Sequence, residues 1–379
     1  MRSNWWYLPS LLLVLAILGG CTPKAAPPIA TTGTTAISAT PKAAAPAITL
    51  EDAAWDEVVK ASKKENKVVL YSFTWVGDVG VALADAFSKR WGITVEIINA
   101  PGAGIVERVK TEQRAKMYTS DLVEFSGSYS ASLLKEGYFV SVVTELPALR
   151  EDVWIVNPKT DAAGNILAHS FQIQTPWVNT KLVKPGEEPT SWADLLDPRW
   201  RGKILMYDPR TTSSADTGVH GLLKYKVVPA DYFQKLAAQV VIPPGVGIWA
   251  PWQALIRGEG PILSWGTDGS GQTFQEQGAP IKPILTREGV IGNSTPIQML
   301  KNAPHPNAGR VFLNFIFTAQ GQEILGRFRK NIPNRKDVPN YSMFAGLTLP
   351  RIAQFTQEDR DEQDENFRLG VAAKLFGLR

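Results

Sequence analysis

The sequence predicts an α/β protein of two lobes, each a mostly parallel sheet flanked by helices, with the lobes joined by crossing strands. Three observations predict this. Between residues 50 and 136, short apolar runs alternate with amphipathic stretches and tight turns, as strand–helix units of a parallel sheet do. The stretch 191–214, SWADLLDPRWRGKILMYDPRTTSS, opens a second series: a short amphipathic helix, a charged turn, a strand over 203–207 and a polar turn leading into another helix. Extended segments at 166–178, 279–285 and 289–295 read as strands that leave the first series and return to it.

The elements follow in order. Residues 50–66 form a helix with Trp55, Val58, Val59 and Ser62 on one side and a Lys-rich end that suits the helix dipole. Residues 67–71 (KVVLY) are a buried strand. A helix over 79–91 turns Leu83, Ala86 and Phe87 inward, with Gly92 as its cap. A strand over 93–99, a helix over 105–117, a strand over 121–125 and a helix from Ser126 to about residue 136 complete the first series. Residues 153–156 are expected to be extended. In the second series, helices are expected over 219–226, 231–239 and 251–256, and a strand over 261–265. Helices over 308–318 and 321–328 carry Val311, Phe312, Phe315 and Ile316 as a core stripe. The acidic run 358–365 lies in a final amphipathic helix, as a solvated face. The expected divisions are a first lobe over 50–175 and 281–340, a second over 176–280, and a C-terminal helical segment over 341–379.

In parallel sheets, ligands collect at the carboxyl ends of the strands. Those ends are Ser72 to Trp75, Asn99 to Gly104, Ser126 to Ser128, and Gly266 to Gly271. The polar turn 208–214 adds an anion pocket. The unpaired N–H groups of a first helical turn point outward, the helix dipole adds partial positive charge, and Arg210 adds a full one. Gly102-Ala103-Gly104 lacks the third glycine of a dinucleotide fingerprint and follows the second strand, not the first.

The chain has 379 residues, of which 44% are hydrophobic and 20% charged, the balance of a globular protein. The net charge of +4 is spread without a basic cluster, which argues against nucleic-acid binding. Residues 1–21 read as an export leader, with Arg2 ahead of an apolar core too short to span a membrane comfortably. The core ends in Leu18-Gly19-Gly20-Cys21, the pattern of a lipoprotein signal. Cys21 is the only cysteine, so no disulfide can form within the chain. It is the expected lipidation site, leaving the protein on the outer face of the cytoplasmic membrane. The Ala/Pro/Thr-rich residues 22–49 read as a tether.

The order of these segments resembles the extracellular solute-binding proteins of bacterial ABC importers, in the ferric-iron, thiamine and phosphonate-type branch. The residues that carry the resemblance are ASKKENKVVLYS (61–72), FSKRWGITVE (87–96), SWADLLDPRWRGKILMYDP (191–209), APHPN (303–307) and AQGQ (319–322). It implies the type II periplasmic-binding-protein fold, a monomer whose two lobes close by a hinge around a small solute and deliver it to a membrane permease. A receptor feeding a signalling partner would use the same clamp.

Iron-binding members of the resembled family use a tyrosine pair near the last strand of the second lobe, and many add a His and an acidic residue. Here that strand exits into Thr267-Asp268-Gly269-Ser270, with Trp75 where a His is expected and Ser126 where a carboxylate is. Ferric iron, a hard cation that needs anionic oxygen ligands, is therefore the alternative, and a small anionic organic solute is the leading expectation. Its candidate contacts are Ser72, Thr74, Ser126, Gly127, Ser128, Thr211, Thr212 and Ser213 as donors, which could equally be caps or turn residues. Trp75, Trp249, Trp252 and Trp265 are candidate walls or else core; Trp192 and Trp200 are expected to be packing. Arg210 pairs either an anion or Asp208, and Asp268 either binds a cation or caps the following turn. His169, His220 and His305 lack zinc-type spacing, and Ser126-Gly127-Ser128 lacks the glycine pattern of a nucleophile elbow. Neither an enzyme activity nor a cofactor or metal is expected, with an exported hydrolase the rival class.

Overall fold

The computed structural model describes residues 50–211, 214–244, 249–347, 352–354, 357–362 and 366–378. The elements are α1 (Leu50–Glu65), β1 (Lys67–Ser72), α2 (Asp78–Trp91), β2 (Thr94–Asn99), α3 (Gly102–Ala115), β3 (Leu122–Glu124) and α4 (Gly127–Lys135). There follow β4 (Leu167–Asn179), β5 (Ile204–Leu205), α5 (Ser214–Lys224), α6 (Tyr232–Leu236), β6 (Val240–Val241), α7 (Ala250–Arg257), β7 (Ile262–Thr267) and α8 (Asp268–Glu276). The chain returns through β8 (Ile281–Pro283), β9 (Val290–Met299), α9 (Pro306–Phe317), α10 (Ala319–Arg329) and β10 (Ile332–Pro333). The C-terminal segment holds β11 (Ile352–Gln354), α11 (Gln357–Glu362) and a π-helical run, Asn366–Ala372.

The first lobe is built on β1. From Val68 onward its residues are buried, and they alternate between two cores: Val68 and Leu70 on one face, Val69 and Tyr71 on the other. Such two-sided burial makes a continuous apolar run a parallel strand. Accordingly β1 pairs in parallel with β2 and with β3. Helix α2 sets Val79, Leu83 and Phe87 at helical spacing against Phe312 and Phe315 of α9. Gly92, at φ 71°, ends α2 by returning its N–H to the Ser88 carbonyl. Each such fully buried ring stabilises the fold by roughly 1.5–3 kcal/mol.

The second lobe pairs β7, β5 and β6 in parallel around its own core of Trp177, Trp192, Trp252, Trp265, Tyr232 and Phe233. The two parallel sets belong to one sheet, in the order β2-β1-β3-β9-β4-β7-β5-β6. Its centre is antiparallel: β9 pairs β3 and β4, and β4 continues to pair β7. Long strands β4 and β9 are therefore the crossing segments expected from the sequence, and β8 and β10 add to β4.

Several local expectations change. Residues 153–156 form no strand; only Trp154 makes a bridge, to Arg335. Helix α5 starts at Ser214, five residues before the start expected at Val219. The polar turn expected after β7 is instead the first turn of α8. Of the expected acidic run 358–365, residues 358–362 lie in α11, residues 363–365 lie outside the described residues, and Asp359 is buried rather than solvated. Among the described residues, no helix is long and apolar enough to cross a membrane.

Candidate functional site

The exit of β1 and the end of β3 meet around one carboxylate, Glu124, which is fully buried. The Ser72 hydroxyl donates to Glu124 Oε2 at 2.7 Å and accepts from the Trp75 backbone N–H at 2.9 Å. The Thr74 N–H donates to the same oxygen at 3.0 Å, and the Thr74 hydroxyl donates to Oε1. Burial alone would push this carboxyl up. The imidazole of His169 and the charge of Arg329 outweigh it and hold Glu124 below the ordinary value.

His169 reaches Glu124 from β4 through a break in the ladder. The β4–β9 register shifts between Ala168 and Ser170, and the bulged residue is turned onto Glu124, with Nε2 at 3.6 Å from Oε1. Burial lowers the His169 pKa despite that carboxylate, so the ring is held neutral. One face of the pair is closed by the Trp75 ring, edge-on to His169 at 5.3 Å.

Arg329, the last residue of α10, brings the positive charge. Its Nη1 donates to the Thr74 hydroxyl. With the Asn331 amide placed so that its oxygen faces the guanidinium, Nε donates to it at 3.2 Å. Nη2 makes no hydrogen bond among the described residues, and the residue is only partly buried. Burial lowers its pKa, countered by the charges of Glu124 and of Asp268. Asp268, the first residue of α8, accepts from the Ile173 N–H at 3.2 Å and the Ser342 hydroxyl at 2.9 Å. Burial pushes it up to about 7 in spite of these donors. Arg329 thus stands electrostatically between a carboxylate of the first lobe and one of the second.

The structure brings Ser72, Thr74, Ser126, Gly127 and Asp268 to this junction or its margin. Ser126 caps α4 two residues beyond Glu124, and its buried hydroxyl oxygen has no partner. Gly127 is the first residue of α4. The side chain of Ser128 is not described, and Thr212, Ser213 and Cys21 lie outside the described residues.

Other expected contacts are used elsewhere. Trp75 and Trp265 are wholly buried and do not wall a cleft. Trp75 packs against Phe312 in the first-lobe core, and Trp265 stacks between Trp192 and Phe233 in the second. Trp252 is likewise core, against Trp177, and Trp192 and Trp200 are buried as expected. Trp249 is 48% exposed at the start of α7. Arg210 forks onto Asp208, Nε at 3.0 Å and Nη2 at 2.7 Å, and Thr211 turns its hydroxyl to the Asp208 carbonyl at 2.8 Å. Asp216 adds a buried carboxylate in the first turn of α5, so the local anion pocket expected there already carries negative charge.

Glu124, His169, Arg329 and Ser342 were not among the expected contacts. A signal existed for one of them: Glu124 is a carboxylate inside an apolar strand, DLVEF. Nothing local marks Arg329, which lies 255 positions from Thr74.

The fold and this junction define a two-lobed binding protein of type II. The profile of a family described as "bacterial extracellular solute-binding protein" matches residues 82–347. The chain belongs to that family of extracellular solute-binding proteins. Among curated proteins, the chain is 25% identical over 298 residues to spermidine/putrescine-binding periplasmic protein 1 of Haemophilus influenzae, covering 75% of this chain and 81% of that one. Its fold is similar to AfuA of Actinobacillus pleuropneumoniae with fructose-6-phosphate bound, with a TM-score of 0.64 and 18% identity over 81% of this chain and 97% of that one. Iron-bound HitA of Pseudomonas aeruginosa is equally similar, with a TM-score of 0.64 and 20% identity over 82% and 99%.

Proposed function

We propose that the solute is a small organic molecule bearing an anionic group, received between the lobes by Arg329 and the first turn of α4. The observation that carries this is the guanidinium of Arg329: one arm is tied to Thr74 while Nη2 has no hydrogen-bond partner among the described residues. A partly buried guanidinium with a free arm suits a carboxylate or phosphate oxygen. The N–H groups of α4 and the unpartnered Ser126 hydroxyl supply further donors.

A second reading has its own support. Glu124 and Asp268 are both buried carboxylates, and the Haemophilus influenzae relative is named for binding spermidine and putrescine. An organic cation would need Arg329 to move aside, because its charge already compensates them. Ferric iron has weaker support, since the exit of β7 carries no tyrosine.

In this reading the lobes divide near residues 175 and 280, closure is a hinge motion in β4 and β9, and lipid-modified Cys21 tethers a monomer beside its permease. Thermal shift with sugar phosphates, phosphonates, dicarboxylates, putrescine, spermidine and ferric citrate tests the solute class. An anion is expected to raise the Tm of the wild type by several degrees, and Arg329→Met is expected to lose that shift. Stabilisation by a polyamine that Arg329→Met retains or strengthens would overturn the anionic reading.

A further inference from the structure

The C-terminal segment runs back across both lobes. Strand β11 adds to crossing strand β9 in parallel, with Ile352 opposite Val290. Helix α11 then packs against α4 of the first lobe. On its other side it is bound to α5 of the second. Lys224 Nζ lies 2.9 Å from Asp359 Oδ1 and 3.0 Å from Glu362 Oε2. His220 Nε2 lies 2.8 Å from Glu362 Oε2, and the Tyr225 hydroxyl donates to Asp359 Oδ2 at 2.7 Å. His220 and Lys224, four residues apart, share one face of the C-terminal half of α5, and Tyr225 follows its last residue. The π-helical run continues along α5, with the Phe367 ring edge-on to His220 at 5.3 Å.

His220, Asp359 and Glu362 offer three metal-capable atoms within 4.8 Å of one another. The Lys224 ammonium, however, already stands against both carboxylates, where a cation would sit. The cluster is therefore a fastening between elements. Asp359 is fully buried in it, so its bonds are shielded from solvent and salt.

We propose that α11 is a strap that ties α4 to α5 and limits how far the solute-free lobes swing apart. Helix α4, capped by Ser126 on the margin of the site, is one of the two helices so tied. The proposal rests on the two-lobed binding reading above. Removing the Lys224 ammonium would take away both of its ion pairs and loosen the second lobe from α11, while leaving the His220 and Tyr225 bonds and β11 on β9.

The test uses the whole chain without added solute. In Lys224→Met, the radius of gyration from X-ray scattering is expected to rise by about 1 Å as the hinge opens. Amide exchange in α4 is expected to speed several-fold, although the substitution is on α5. Lys224→Arg, which keeps the charge, is expected to restore both values. A folded Lys224→Met with wild-type scattering and wild-type exchange in α4 would sink the strap. Should Lys224→Met not fold, Glu362→Gln, at a position 45% exposed, breaks part of the same fastening with the same two readouts. Thermal shift with the solute panel on the same wild-type sample separates a binding protein without a strap from a protein that binds none of these solutes.

Discussion

At the scale of single residues, the site is a matter of which charge finds a partner. Arg210 and Asp208 are two positions apart, so they neutralise each other locally. Arg329 has no acidic neighbour at that spacing, and its compensation comes from Glu124 and Asp268 across the fold. Asp268 has the clearest consequence for pH. An unfolded aspartate ionises near 4, whereas burial puts this one at about 7. Folding therefore favours its protonated form. That contribution is complete below pH 4 and is lost as the pH rises towards 7. Wild-type stability is expected to decline relative to Asp268→Asn across this window, by up to about 4 kcal/mol. Urea unfolding of both proteins at pH 4.5, 6 and 8 checks this; a difference that does not change with pH would reject it.

At the scale of elements, the start of α8 and the end of α10 approach so closely that only glycine fits between them. A Cβ on Gly269 would lie 2.3 Å from the Arg329 carbonyl oxygen and 2.6 Å from the side-chain amide of Asn331. Gly269→Ala is expected to cost about 1–3 kcal/mol, because backbone and not a flexible side chain must give way. It should also weaken solute binding by shifting Arg329. Gly104→Ala, in α3 with open space around it, is the control and is expected to be neutral or slightly stabilising. Denaturant midpoints and solute-dependent thermal shifts of the two variants decide the matter. The same glycines explain why α8 was not legible. Residues 266–271 include three glycines, whose poor helix propensity reads as a turn, yet close packing against Trp177 and Arg329 needs them. Strands β1 and β4 were legible because their burial pattern is written in consecutive residues. The bulge at His169 was not, since a register shift belongs to the pair of strands and not to either one.

At the scale of the whole molecule, two parallel sets and an antiparallel centre make one sheet, so the lobes share their backbone connections while keeping separate cores. In the proposed reading, hinge closure is expected to bend β4 and β9 and to leave both cores intact. The proposed lipid anchor makes a prediction at this scale: Cys21→Ser is expected to move the protein from the membrane fraction to the soluble fraction, read by immunoblot after fractionation. Unchanged membrane association would reject lipid anchoring at that residue. The sequence by itself determined the two α/β series, their crossing strands and the kinship carried by residues 191–209, because hydrophobic period and turn chemistry act over a few residues. It also placed Ser72, Thr74, Ser126 and Asp268 at strand ends. Only the tertiary structure decided that Arg329 and not Arg210 carries the available charge, that Trp75 and Trp265 are core, and that acidic α11 fastens one lobe to the other. Thr74 and Glu124 are 50 positions apart, and Lys224 and Glu362 are further still. Electrostatic partners at such separations are chosen by the packing of whole elements, and no local pattern encodes them.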